Sequence, residues 1–205
     1  MALSYPLAWP GTGNARSVKI RARSTVGVSA SPFTAEQQVY VHQGEVWAMD
    51  VQLPVMGRAA AENWIGFLLA LNGMEGTFNA GQPGYSTPRG DWLGLPQVHG
   101  AHAAGVKSIA MDGFTAFATV KRGDWLQTGS GSSAHLHKVA QDATADSGGE
   151  LTLEVWPRTR AALADNATFT TTSPVGLWRL ASNDREWDID LAMLYGISFS
   201  AIEAL

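Results

Sequence analysis

Two histidines separated by one residue, in the stretch S-S-A-H-L-H-K-V, are the clearest pointer to chemistry in this chain. Side chains two apart on a β-strand point the same way, so His135 and His137 can in principle bind one metal ion. His99 and His102 can supply further ligands, but their H-x-x-H spacing lies in a glycine-rich loop and lacks the glutamate of an H-E-x-x-H helix. We therefore expect no metal site. Both histidines are predicted to line the polar face of a hairpin strand, with Leu136 pointing into the core.

Four acidic residues recur at every second position in the stretch N-D-R-E-W-D-I-D. They are Asp184, Glu186, Asp188 and Asp190. On a continuous strand these carboxylates would share one face and repel one another unless positive charge faced them. A calcium loop would need a central glycine and a distal bidentate glutamate, which this stretch lacks. The expected counterpart is the basic row Lys19, Arg21 and Arg23. We predict that these seven residues form an interface, with the basic row on a neighbouring strand or a neighbouring subunit.

Patterns for other catalytic and cofactor-binding sites are incomplete. Ser130 in G-S-G-S-S lacks the G-x-S-x-G elbow, and G-T-G at 11–13 neither follows a strand nor opens a helix. The chain has no cysteine, which excludes disulfides, thiolate zinc sites and a cysteine nucleophile. Tryptophan can stack on sugars or bases, but Trp47 and Trp64 fall at core-periodic positions. We therefore expect neither an enzyme nor a bound cofactor.

Charge balance and apolar patterning argue against two further classes of partner. The net charge of −4 offers no basic footprint for nucleic acid. The longest apolar stretch, 64–71, is far shorter than the roughly 20 residues of a membrane-spanning helix. The first residues lack the basic region and apolar run of a signal peptide. We expect no nucleic-acid partner and no membrane insertion, and the lack of cysteine fits synthesis in a reducing cytosol.

Hydrophobic spacing predicts a mainly β chain with one helix. Residues 16–23 alternate as a strand, and the stretch V-Y-V-H-Q-G-E-V-W-A-M-D-V-Q-L is predicted to be a hairpin that turns at Gly44. Over about 58–72 the period changes to that of a helix. Its apolar stripe consists of Trp64, Phe67, Leu68 and Leu71. Asn72 and Gly73 supply a left-handed stop, and we expect this helix to plug or cover a β-barrel.

Glycine and proline punctuation divides the chain into two units. Residues 81–105 are loop-like, and about five short strand candidates follow up to Trp156, as in a small antiparallel, OB-like barrel. Alternation returns near the end of the sequence, where a final strand often completes a sheet begun by the first. We predict a belt domain of 1–84 and 173–205, interrupted by a peripheral β module of 85–172.

Several longer stretches of the sequence resemble a known protein family. They are G-T-F-N-A-G at 76–81, K-R-G-D-W-L-Q-T-G at 121–129, V-A-Q-D-A-T-A-D-S-G-G-E-L-T-L-E-V-W-P-R-T-R at 139–160, and the closing S-N-D-R-E-W-D-I-D and Y-G-I-S-F-S-A-I-E-A-L. In these stretches the chain resembles the small tail-tip proteins of long-tailed bacteriophages and prophages, the distal tail class. The resemblance covers nearly the whole chain, although none of the stretches is a short, mechanism-bearing signature.

This resemblance implies a structural virion protein. In the family, a β-barrel or sandwich belt domain with one flanking α-helix is interrupted by an outward-facing OB-like or galectin-like β module. The belt forms a homo-oligomeric ring, a hexamer, which joins the tail tube protein to the tail hub and baseplate proteins of the host-recognition apparatus. The family has no catalytic residues to carry over. We therefore expect this chain to be made in the bacterial host cytoplasm and to function in the virion, as a ring-forming adaptor of the phage tail.

Two alternative functions stay open on the residues alone. One is a receptor- or carbohydrate-binding tail component, and the other is a metal-dependent hydrolase of the cell wall. The size of the purified assembly separates the three hypotheses. A ring favours the adaptor, a trimer favours the receptor-binding component, and a zinc-loaded monomer favours the hydrolase.

Overall fold

The computed structural model describes residues 3–11 and 15–205 and is mainly β, with 44% of residues in strands and 8% helical. This confirms the fold class that the hydrophobic spacing predicts. The elements, in chain order, are β1 (Leu7–Ala8), β2 (Ser17–Ala30), β3 (Gln37–Gln52), α1 (Arg58–Ala70), β4 (Phe78–Ala80), β5 (Gly94–Val98), β6 (Ser108–Phe114), β7 (Thr119–Val120), β8 (Trp125–Thr128), a 3-10 turn (Gly131–Ser133), β9 (His135–Val139), β10 (Ala143–Thr144), β11 (Leu151–Trp156), β12 (Gly176–Leu180), β13 (Trp187–Ile189) and β14 (Tyr195–Glu203). Among the described residues, no helix is long and apolar enough to cross a membrane.

A seven-stranded sheet combines strands from the two ends of the sequence. Its order is β1-β4-β12-β14-β3-β2, and β13 pairs with β14 off this path. Strand β14 is antiparallel to both of its long neighbours, β3 and β12, whereas β1 is parallel to β4. The expectation that the last strand joins the sheet of the first is therefore confirmed.

Strands β5 to β11 form two further sheets and have a core of their own. Five of them are ordered β5-β6-β11-β9-β8, and β7 pairs with β10. Their buried cluster includes Ile109, Met111, Leu126 and Leu153. The strands of the first sheet come from both sides of this segment, so the segment interrupts that sheet in sequence.

Strands β2 and β3 form one long antiparallel hairpin, and the turn predicted at Gly44 is wrong. The chain turns instead at Ser31–Glu36, where the Ser31 amide donates to the Glu36 carbonyl at 2.9 Å. Gly44 lies inside β3, near the point where the register of the pair shifts. A Cβ on Gly44 would come within 2.7 Å of the Thr25 hydroxyl. The glycine therefore permits close approach of two strands, which is another common role of glycine in sheets.

Helix α1 closely matches the predicted helix. Its four predicted core residues are buried, and they are Trp64, Phe67, Leu68 and Leu71. Asn72 and Gly73 follow with φ angles of +47° and +69°. These left-handed residues end the helix, as the sequence predicts.

An aromatic cluster holds the helix against the seven-stranded sheet. The Trp9 and Trp64 rings meet edge to face, with their centroids 5.2 Å apart. Phe67 and Phe78 meet in the same manner at 5.5 Å, and Phe199 on β14 lies 6.2 Å from Trp64. Edge-to-face and tilted pairs at these distances add to the free energy gained by burying the rings.

Replacing Trp64 with alanine should lower the free energy of unfolding by about 3–5 kcal/mol, because it removes a fully buried indole and leaves a cavity. Urea and thermal unfolding measure the change. Leu69→Ala is the matched control, since Leu69 lies on the same helix with 52% of its surface exposed. An unchanged melting temperature in Trp64→Ala would show that the helix stripe is not a core.

Candidate interaction surfaces

The distal part of the β2–β3 hairpin pairs only with itself. Its ladder joins residues 26–30 to residues 37–41, whereas β3 pairs with β14 only over Ala48–Gln52. All of these ladder residues are exposed except Gly27, which is half-buried. We call residues 26–41 the arm.

One face of the arm is apolar. Val26 pairs with Val41, and Val28 pairs with Val39. Positions two apart along a ladder share one face, so the four side chains form a single patch, called here the valine face. Their exposed fractions lie between 48% and 61%. Phe33 in the turn is 94% exposed and adds an apolar tip.

The valine face continues the core-facing side of the sheet. Val18 and Ile20, earlier on β2, pack against the main core. Alternation along the strand places Val26 and Val28 on the same side, beyond the part that the core covers. The opposite face is polar, and there the Tyr40 hydroxyl donates to Gln38 Oε1 at 2.6 Å. The arm is therefore an amphipathic ribbon whose apolar face is solvent-exposed.

Strands β13 and β14 form a second hairpin with an exposed apolar end. Trp187 pairs with Ile197, and Ile189 pairs with Tyr195. The exposed apolar side chains of this end are Trp187, Ile189, Leu191, Met193 and Leu194. We call residues 187–194 the β13–β14 end.

The acidic run does not form the continuous strand that its spacing predicts. Only Trp187–Ile189 is a strand, and the chain turns after it at 191–192. Asp184 accepts a hydrogen bond from the Ser182 hydroxyl at 3.4 Å. Asp190 accepts one from the Leu194 amide at 2.8 Å. Glu186 and Asp188 are exposed.

The basic row lies on β2 and does not neighbour the acidic run within the sheet. Strands β3 and β14 separate β2 from β13, so the neighbouring-strand form of the prediction is wrong. Arg21 pairs instead with Asp50, with Nη2 and Oδ1 2.6 Å apart. Lys19 lines an open cavity together with Asp184 and Glu186. Contact of the two charged rows between subunits stays a prediction.

Two buried glutamates tie the seven-stranded sheet to the other strands. Arg160 donates to both carboxylate oxygens of Glu203, from Nε at 3.1 Å and from Nη2 at 2.6 Å. Lys107 Nζ lies 2.5 Å from Glu45 Oε1, and the Arg158 amide donates to Glu45 Oε2 at 2.9 Å. The carboxylates come from β3 and β14, whereas the three cations come from outside the seven-stranded sheet. We call these five residues the ionic junction.

The surroundings of Glu45 favour its ionised form. Burial raises the pKa of this carboxyl, but the Lys107 ammonium and the Arg158 amide and charge outweigh it and hold the pKa below its ordinary value of 4.5. Because the pKa is lowered on folding, the junction stabilises the fold above that value. The contribution is lost as the pH falls through the folded-state pKa.

Tryptophans pack beside the ionic junction. The Trp47 ring on β3 lies 4.8 Å from the Trp125 ring and 4.3 Å from the Trp156 ring, centroid to centroid. Trp47 Nε1 donates to the Leu136 carbonyl at 3.0 Å. Trp125 and Leu136 belong to the same buried cluster as Trp47. The interrupting segment is therefore packed onto the sheet through a shared core.

His137 is a buried structural residue, so its predicted position on a polar strand face is wrong. Its Nδ1 lies 2.9 Å from the Pro157 carbonyl, which can only accept, so Nδ1 carries the proton. Its Nε2 then accepts from the Thr128 hydroxyl at 3.2 Å. His135 is half-buried, and its Nδ1 has no hydrogen-bond partner among the described residues. Leu136 is buried, as predicted.

The two histidines of the H-x-x-H stretch lie elsewhere and have their own partners. His99 Nδ1 lies 2.7 Å from Asp112 Oδ2, and His102 Nε2 accepts from the Ala110 amide at 3.2 Å. Within residues 3–11 and 15–205, no group of three or more metal-ligating side chains is placed to hold one ion.

The ionic junction went unrecognised in the sequence, although a signal for it exists. Glu45 precedes Trp47, Met49 and Val51 in strict alternation, and Glu203 follows Ala201 in the same way. A carboxylate that alternates with core-facing residues is expected to be buried, and a buried carboxylate needs a cation beside it. The alternation could therefore have identified both carboxylates, but not which cations reach them.

Comparison with models of known protein families and with curated protein sequences finds no match to this chain. The two exposed apolar surfaces and the ionic junction are therefore interpreted from their own geometry, together with the resemblance of the sequence stretches given above.

Acidification should destabilise the fold through His137. Burial lowers its pKa from 6.5 to about 4, so stability is complete above pH 6.5 and is lost as the pH falls from there towards 4. The shift corresponds to about 3 kcal/mol. Urea unfolding of His137→Gln should show a flatter pH dependence in this window, and the exposed His42→Gln should keep the parent slope. Equal slopes in both variants would contradict the assignment.

Proposed function

We propose that this chain is a structural, ring-forming subunit of the tail tip of a long-tailed bacteriophage, an adaptor between the tail tube and the host-recognition apparatus. The observation that carries the proposal is the arm, because its valine face needs a partner. A two-stranded ribbon is at best marginally stable alone in water, and exposed apolar patches of this kind mark protein–protein contacts. The sequence resemblance supplies the class of assembly.

The junction between the two parts of the fold also suits an adaptor. An adaptor transmits position between the proteins on its two sides, which requires its own parts to hold a fixed relation. Here the ionic junction and the Trp47 contacts join the interrupting segment to the seven-stranded sheet. The seven-stranded sheet can then contact neighbouring copies, while the interrupting segment is presented outward at a defined angle.

The mass and shape of the purified protein test this function. Light scattering should give a closed oligomer, a hexamer by the resemblance, and negative-stain images should show rings. Val28→Ser combined with Val39→Ser should reduce the mass towards that of one chain while the circular dichroism spectrum stays unchanged, since both valines are exposed. Leu95→Ser is the control, because Leu95 lies on β5 and is 85% exposed.

A protein that stays monomeric at high concentration, or that forms only trimers, would contradict the adaptor. The trimer would favour the receptor-binding alternative. Zinc that copurifies in stoichiometric amount with a monomer would favour the hydrolase.

A further inference from the structure

We infer that residues 157–160, called here the strap, are an acid-sensitive link between the interrupting segment and the seven-stranded sheet, which opens the ionic junction when the neighbouring His137 takes up a proton. The strap follows β11 and lies outside every helix and strand of the described residues. It contacts both the ionic junction and His137. The inference concerns the single chain and does not depend on the proposed ring.

The strap supplies two of the three cations of the ionic junction. The Arg158 amide donates to Glu45 Oε2 at 2.9 Å, and Arg160 Nη2 donates to Glu203 Oε2 at 2.6 Å. Arg160 also donates to the Glu45 backbone carbonyl. The side chains of Glu45 and Glu203 are each only 3% exposed, so both carboxylates depend on these donors. A displacement of the strap therefore removes hydrogen bonds from both carboxylates at once.

The same strap covers His137. Nδ1 of this histidine donates to the Pro157 carbonyl at 2.9 Å, Nε2 accepts from the Thr128 hydroxyl at 3.2 Å, and the side chain is fully buried. The neutral ring therefore satisfies both of its nitrogens. A second ring proton would place a positive charge out of contact with water, which costs free energy because neither partner carries a negative charge.

The strap is the neighbour of His137 that can move most easily. Thr128 belongs to β8, and all of β8 pairs with β9. The strap has no such ladder and is held by its junction contacts and by Thr159. The Thr159 amide donates to the Val106 carbonyl at 2.9 Å, and the Thr159 carbonyl accepts from the Gly105 amide at 2.8 Å. Local opening favours segments that few hydrogen bonds hold. Protonation of His137 is therefore coupled to displacement of the strap.

The charges around His137 act in the same direction as its burial. Arg160 and His135 face His137, and Glu203 faces His135. Burial lowers the pKa of His137 to about 4, Arg160 and His135 add to this effect, and the hydrogen bond to the Pro157 carbonyl opposes it. An imidazolium at this position would repel the Arg160 guanidinium, which is part of the strap. This repulsion favours displacement of the strap once His137 is charged.

The pKa values of the closed and open states define the pH range of the opening. The pKa of His137 is about 4 in the closed state and 6.5 when the ring is exposed. The closed state is therefore fully favoured above pH 6.5 and is progressively lost as the pH falls towards 4. Opening takes up one proton at His137, which raises the open population about 20-fold between roughly pH 7 and pH 5. Below pH 4.5, Glu45 takes up a further proton on opening, because Lys107 and Arg158 outweigh its burial and lower its closed-state pKa.

Hydrogen exchange of the purified protein at pH values from about 7 to 5 tests the link, with each rate divided by the intrinsic exchange rate of that amide at that pH. The amides of Arg158, Thr159 and Gly105 report on the strap, because each of them donates across one of its contacts. We expect their protection to fall about 20-fold over this range, while the amides of helix α1 and of the β6–β11 ladder stay within about twofold.

His137→Gln is the decisive variant, since glutamine can both donate and accept a hydrogen bond but takes up no proton. Its strap amides should keep the same protection across the pH range, whereas the exposed His42→Gln should reproduce the parent. A loss of protection that persists in His137→Gln would overturn the assignment to His137. In the parent alone, equal loss in helix, ladder and strap would show global unfolding, and unchanged strap protection would show no opening. Either result overturns the inference, whether or not the His137→Gln variant folds.

Discussion

The antiparallel pairing of Ala48–Gln52 on β3 with Ser198–Ile202 on β14 fixes the position of β3. Side chains along β3 then lie in three different environments. Within this ladder, the core-facing side chains of β3 pack against the main core, which includes helix α1. Just before it, Glu45 and Trp47 meet the interrupting segment. Further back along β3 the arm leaves the body of the molecule. A slip of one residue in this register would turn every core-facing side chain to the other face, so the core, the junction and the arm all depend on it.

The ionic junction fixes the direction in which the interrupting segment packs against the seven-stranded sheet. A buried ion pair contributes little net stability relative to an apolar contact, but removing one partner leaves an uncompensated charge. Glu203 is held by two donors of the Arg160 guanidinium, and such bidentate pairing fixes direction as well as distance. The junction therefore selects one relative placement of the two parts. Such selection suits the proposed adaptor role better than additional stability would.

Elements with a strong local period were predictable from the sequence. The helix followed from the spacing of Trp64, Phe67, Leu68 and Leu71, and its end followed from Asn72 and Gly73. Gly44 was misassigned because glycine marks a turn and a close strand approach equally well, and only the pairing with β2 distinguishes the two. His137 was misassigned because alternation gives the side of a strand but not whether another element covers it. The partners of Glu45 and Glu203 are distant in sequence, so no local pattern identifies them.

Hydrogen exchange measured on the assembled and the dissociated protein tests the central claim most directly, because it reads the backbone of the arm and of the helix in one experiment. The account predicts that assembly slows amide exchange in residues 26–41 by at least tenfold, while the helix amides over 58–70 exchange equally slowly in both states. Unchanged exchange in residues 26–41 of a fully assembled sample would contradict the account. Protection confined to other segments would assign the contact between copies to a different part of the molecule.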